Sequence, residues 1–290
     1  MIVRRPTART ILSTAVIVWL VSQASLASPE SVSQMVQQAR AHARDGNHTT
    51  AAGILEQARI LAPNSEDVLS DLAKTSLVAG DPVGAINTLE PLMRIHPKVA
   101  RYPYLLGVAL LQVKEFESST KALRRSLEIE PRRPLTLLAL GITALSQKRF
   151  GEAKEFAARS LEIEPEGAEA LAVLAEAEEG LGEIEQAEFH ADRALSLAGS
   201  HAGASYVLGR VRMAQGRFDE ATKYFLQANR ADPKSSRIHY QLSLAYARIN
   251  DPESSRKHRE LYSQTREKNT ADVESMRRRM GLKESGMRPK

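Results

Sequence analysis

The chain has 290 residues, with 40 Lys and Arg against 35 Asp and Glu and a formal net charge of +5. It contains no cysteine, which excludes a disulfide framework, a haem-attachment motif, a thiolate metal site and a lipid-bearing cysteine.

The first segment differs from everything after it. Residues 1–9 carry Arg4, Arg5 and Arg9 and no acid, Ile11 to Val21 is an apolar stretch containing Trp19, and Ala24-Ser25-Leu26-Ala27 supplies small residues before a cut after Ala27. A basic start, an apolar middle and a small-residue cleavage site make a secretory signal peptide over residues 1–27. The apolar run is shorter than the ~20 residues of a membrane span, so cleavage is expected rather than retention as an anchor. Pro6-Thr7 follows Arg4-Arg5 where a twin-arginine signal usually has apolar residues, which favours the ordinary secretory route. Without the leader, 37 basic residues face 35 acidic ones, a net +2 that is no nucleic-acid footprint. The expectation is an exported bacterial chain, periplasmic or secreted, that begins at Ser28, binds no nucleic acid and meets the membrane only if the leader is retained.

Beyond the leader the chain repeats. Pro63, Pro97, Pro131 and Pro165 stand 34 residues apart, the next step falls on Gly199 and the following one on Pro233. Arg125 to Pro131 and Arg159 to Pro165 both read RSLEIEP, and RFGEA at 149–153 returns as RFDEA at 217–221, two periods later. A period of this length with a closing proline belongs to a stacked helix-turn-helix array. Units begin at Val32, Glu66, Ala100, Pro134, Ala168, Ala202 and Ser236, within a solenoid over 28–268. Asp81-Pro82 and Asn250-Asp251-Pro252 read as N-caps followed by proline at the first helical position. Ser31 with Gln34 reads as a capping box. Pro91 falls well inside a helix, where a kink is expected. Val273, Met276 and Met280 form a short apolar stripe stopped by Gly281, which reads as a capping helix within 269–290, with Arg277-Arg278-Arg279 as a solvated face and a disordered basic tail.

With each proline at position 32, position 7 reads Gln38, Leu72, Leu106, Leu140, Leu174, Leu208 and Leu242. Position 8 reads Ala39, Ala73, Gly107, Gly141, Ala175, Gly209 and Ser243, and position 20 reads Ala51, Ala85, Ser119, Ala153, Ala187, Ala221 and Ser255. This pattern resembles the tetratricopeptide repeat family. The resemblance implies an all-α, right-handed superhelical solenoid of about seven helix pairs with a C-terminal capping helix. It also implies a non-enzymatic scaffold or adaptor that binds another protein and needs no cofactor. Small residues at 8 and 20 let paired helices approach, and unit stacking supplies the core. Gln38, Ser255 and Arg259 depart from the pattern at the ends, as caps would, so Leu242→Ala is expected to cost less than Leu140→Ala.

No catalytic motif interrupts the array: there is no H-E-x-x-H, no G-x-S-x-G and no glycine-rich phosphate loop. None of the seven histidines has another at i+3 or i+4, and Glu176, Glu178 and Glu179 read as a solvated face. Asn47-His48-Thr49 is a glycosylation sequon at the first inter-helix turn. In the family, positions 2, 5, 9 and 12 of the first helices line a concave groove. Here these are Arg101, Tyr104, Val108 and Leu111, then Leu135, Leu138, Ile142 and Leu145. Lys74, Glu169, Glu176 and Glu179 flank them, and Tyr206, Arg210, Arg237 and Tyr240 lie further along. An apolar stripe with charged flanks suits an apolar or amphipathic segment of a partner protein. The other reading of the stripe is packing against adjacent first helices. For the whole chain, the other readings are a membrane-tethered assembly subunit, or an accessory subunit of a secreted enzyme or of a polysaccharide or secretion machine.

Overall fold

A computed structural model describes residues 29–282, and every regular element among them is a helix. They divide at Pro97 into two compact units. The first contains α1 (Pro29–Arg44), α2 (His48–Leu61), α3 (Glu66–Val78) and α4 (Pro82–Ile95). The second contains α5 (Arg101–Gln112), α6 (Phe116–Ile129), α7 (Pro134–Ser146), α8 (Phe150–Leu161) and α9 (Ala168–Leu181). It continues with α10 (Ile184–Ala198), α11 (Ala202–Ala214), α12 (Phe218–Ala231), α13 (Ser236–Arg248) and α14 (Pro252–Arg279). The leader over 1–27 and the tail beyond Leu282 lie outside the described residues. No helix among the described residues is long and apolar enough to cross a membrane.

The repeat period of the sequence is reproduced by the backbone. The second helices of the seven pairs open at residues 48, 82, 116, 150, 184, 218 and 252, each 34 after the last. Each first helix is stopped by one left-handed residue, at 46, 80, 114, 148, 182, 216 and 250, with φ between 58° and 81°. The next residue's N–H then donates to the carbonyl five residues back, at 2.8–2.9 Å in all seven turns, which closes the orphaned helix end. Glycine takes the left-handed position four times. Lys114, Lys148 and Asn250 take it elsewhere, although a side chain there costs roughly 1–2 kcal/mol.

The caps follow the sequence in two places and depart from it in one. Asp81 accepts from the Gly84 N–H at 3.2 Å and Asp251 from the Ser254 N–H at 3.0 Å, each with proline next in line. Helix α1 opens at Pro29, so Ser31 lies inside the first turn and not at its N-cap. Helix α4 runs through Pro91 to Ile95.

Within each pair, small residues set the contact distance. Position 20 is buried in all seven pairs. A Cβ on Gly107 would stand 2.5 Å from the Leu123 side chain, and one on Gly209 would strike the Phe225 ring, so both glycines are required by close approach. Where serine replaces alanine at position 20, its hydroxyl is used: Ser119 donates to the Gly107 carbonyl at 2.7 Å and Ser255 to the Ser243 carbonyl at 2.8 Å. Ser255 is therefore a working variant of the repeat and not a mark of the chain end. Leu242 corrects a second expectation. It is 0% exposed, against 1% for Leu140, because Tyr206, Phe225, Ile238 and Ala245 enclose it.

The C-terminal segment is helical as the sequence suggests, but it is not a separate capping element. It is the distal half of α14, which runs 28 residues from Pro252 without a break. Gly281, at φ +70°, ends it: the Gly281 and Leu282 N–H groups donate to Arg278 and Arg277, both at 3.0 Å.

Candidate protein-binding face

In the second unit the first helices of successive pairs touch in order, α5 to α7, α9, α11 and α13, and form one continuous face. The 3.6-residue period puts positions 2, 5, 9 and 12 on the same side of each helix, so the predicted stripe lies along this face.

Its apolar part is half-buried. Tyr104 and Val108 pack against the cluster of Leu123, Ala139 and Leu140. Leu138, Ile142 and Leu145 pack against Ala157, Val173 and Leu174. These residues therefore spend part of their surface joining neighbouring repeats, as the packing alternative required. Leu135 is different, with 49% of its surface open, and Tyr240 and Leu244 are also exposed further along. Leu111 is half-buried at the end of α5. The Arg133 guanidinium lies 5.4 Å from the centre of the Tyr104 ring. Burial pushes the Tyr104 hydroxyl up from its ordinary value, with Arg133 opposing. Arg101 is half-buried and lies against the Tyr102 ring at 5.4 Å.

The flanking charges meet one another. Glu176 pairs with Arg237, which spans from α13 back to α9 and lies 4.4 Å from the centre of the Tyr206 ring. Tyr206 is only 7% exposed and belongs to the core cluster of Phe225, Ile238 and Leu242. Arg210 holds Glu179 at 2.6 Å and His201 holds Glu169 at 2.7 Å. Burial raises the Glu179 carboxyl while Arg210 opposes, and the hydrogen bond from His201 lowers the Glu169 carboxyl. The run of glutamates on α9 is thus not a solvated face. Glu176 and Glu179 are tied to arginines, and Glu178 is buried with Oε2 at 2.7 Å from His190 Nδ1. Lys74 lies in the first unit, on α3, 3.4 Å from Asp71.

One participant was not legible locally. Arg277, near the end of α14, pairs with Glu115 at the start of α6. Its side chain is largely buried, so the arginine run is not wholly a solvated face; Arg278 and Arg279 are exposed. Tyr262 of α14 also lies 5.3 Å from Tyr240. The long helix therefore starts in the seventh pair and ends against the third. No local spacing could have revealed a pair 162 residues apart.

Among the described residues no group of three or more His, Asp or Glu is placed to hold a metal ion. The face offers half-buried apolar surface bordered by paired charges.

A sequence profile of the tetratricopeptide repeat matches residues 42–108 and 180–249. Among solved structures, a tetratricopeptide repeat protein from Parabacteroides merdae aligns at TM-score 0.64 and 16% identity, covering 76% of this chain and 86% of that one. The pilF protein of Pseudomonas aeruginosa aligns at TM-score 0.59 and 22% identity, covering 76% and 97%. PilW, a type IV pilus biogenesis factor, aligns at 0.61 and 20%, covering 75% and 99%. No curated protein matches the sequence. Tetratricopeptide repeat arrays are protein-interaction scaffolds. With seven helix pairs on a 34-residue period and small residues at every close approach, the chain is an all-α repeat solenoid that carries tetratricopeptide repeats over residues 42–108 and 180–249.

Proposed function

We propose that this chain is an exported, non-enzymatic scaffold of the bacterial cell envelope whose α5–α13 face takes an apolar or amphipathic segment of another protein. The observation that carries the reading is the row Leu135, Leu138, Ile142 and Leu145 along α7, with Leu135 half open to solvent and the neighbouring charges already paired. An apolar row whose ionic surroundings are satisfied rewards an apolar ligand and loses little to desolvation. Export rests on the leader alone.

The test uses the mature chain as bait for its partner in envelope extract of the native host. Leu135→Glu places a charge at an open position, so it should abolish capture of that partner while the thermal melt stays unchanged. Ile142→Glu should lose both, because Ile142 also packs on Val173. Full capture by Leu135→Glu would reject the face. N-terminal sequencing from the native host should find Ser28 first, and recovery of intact Met1 in the membrane fraction would reject cleavage.

A further inference from the structure

The first unit holds a cleft of about 700 Å³ between α1 and α3 that the α5–α13 face does not include. All its lining residues fall within 37–78. Its apolar side is formed by Leu55, buried at the base, and Val78, 64% exposed at the lip. Its polar side carries three cations, Arg40, Arg44 and Lys74, and a single lining acid, Asp71. Asp71 is used twice: Oδ2 accepts from Arg40 Nε at 2.5 Å and Oδ1 lies 3.4 Å from Lys74 Nζ. Arg40 also reaches Asp67 at 3.6 Å. Arg44 meets no carboxylate among the described residues; its Nε donates to the Arg40 carbonyl at 3.4 Å. Three cations share two acids, and the unspent N–H donors are exposed beside an open apolar lip.

We propose that this cleft is a second binding site, for a partner segment that presents a large apolar side chain one helical turn from a carboxylate. The apolar group would cover Leu55 and Val78, and the carboxylate would complete the coordination of Arg44 and Lys74. A neutral segment leaves those donors as they are, and a basic one is repelled. The volume is that of a pocket for one or two side chains rather than for a whole helix.

The test is fluorescence anisotropy with the full mature chain. The probe is a labelled alanine-based helical peptide carrying Leu and Glu four residues apart, alongside versions with Gln or Lys for Glu. The Glu peptide should bind at least about tenfold more tightly than the Gln peptide, and more weakly as salt rises. Arg44→Gln with Lys74→Gln should remove that advantage. Arg44 is exposed, Lys74 is half-buried, and Asp71 keeps its contact with Arg40, so the melt should barely move. Val78→Asp should abolish binding. Leu135→Glu, in the second unit, separates the two sites and should leave this affinity as it was. Equal affinity for the Glu and Gln peptides, no binding at millimolar peptide, no effect of the double neutralisation, or loss with Leu135→Glu would each overturn the proposal.

Discussion

Leu140→Ala and Leu242→Ala each remove three carbons from a side chain that is 1% or 0% exposed. Transfer of those carbons is worth roughly 0.8 kcal/mol apiece, and a residual cavity of tens of Å³ adds about 1 kcal/mol at ~24 cal/mol per Å³. Each variant should therefore lose about 3 to 4 kcal/mol, with a difference under about 1 kcal/mol. The sites belong to separate clusters, one around Leu123 and Ala139 and the other around Phe225 and Ile238, so the double variant should show the sum within about 0.5 kcal/mol. Urea unfolding followed by far-ultraviolet circular dichroism measures this, with the m-value compared each time because a repeat array can unfold in pieces. A loss for Leu242→Ala below half that of Leu140→Ala would refute the reasoning. It would mean that the seventh pair is loosely held despite its burial.

Further outcomes follow from the turns, the C-terminal helix and a buried histidine. Lys148→Gly relieves a left-handed residue at φ 58°; after the entropy lost by glycine, the gain in a chemical melt should be about 0.5–1 kcal/mol, and a net loss would contradict the turn geometry. Arg277→Glu should speed amide exchange over residues 266–280, and adding Glu115→Lys should restore it; no restoration would deny the Arg277–Glu115 pair. His258 is buried, 3.2 Å from His239 across their Nδ1 atoms and stacked under Tyr246. Burial, with His239 and Lys257, pulls its imidazole below the ordinary value. The unfolded chain therefore binds more protons on acidification, so the contribution is intact above about pH 6.5 and is lost as the pH falls from there toward the depressed value. His258→Gln should flatten that part of the stability curve, and an unchanged slope between pH 7 and 5 would contradict it.

The sequence made the array legible because its determinants are local and repeated. The prolines mark the turns between pairs, Asp81 and Asp251 cap the helices they precede, and small residues stand where the backbones meet. Gly281 ends α14 because only the left-handed conformation closes that helix end. The left-handed turn residues were harder to see, since lysine replaces glycine at 114 and 148 while the backbone bond that imposes the conformation stays the same. The contents of the binding face were less legible still. That Glu176 reaches Arg237 over Tyr206, or that Arg277 returns to Glu115, depends on how four or five stacked repeats curve, and no window of residues contains that curvature. The half-burial of Ile142 against Val173 has the same origin: periodicity gives the side of the helix but not how closely the next helix lies. Ser31 shows the converse error, a correct local motif overtaken by a helix that begins two residues earlier.

We propose that the α5–α13 face receives a partner, and the direct measurement is amide hydrogen exchange of the mature chain with and without the partner recovered from envelope extract. Binding should slow exchange in peptides from α5 and α7, around Tyr104 to Leu111 and Leu135 to Leu145, and Leu135→Glu should abolish that protection. Protection confined to the second helices α6, α8 and α10, with α5 and α7 unchanged, would contradict the account.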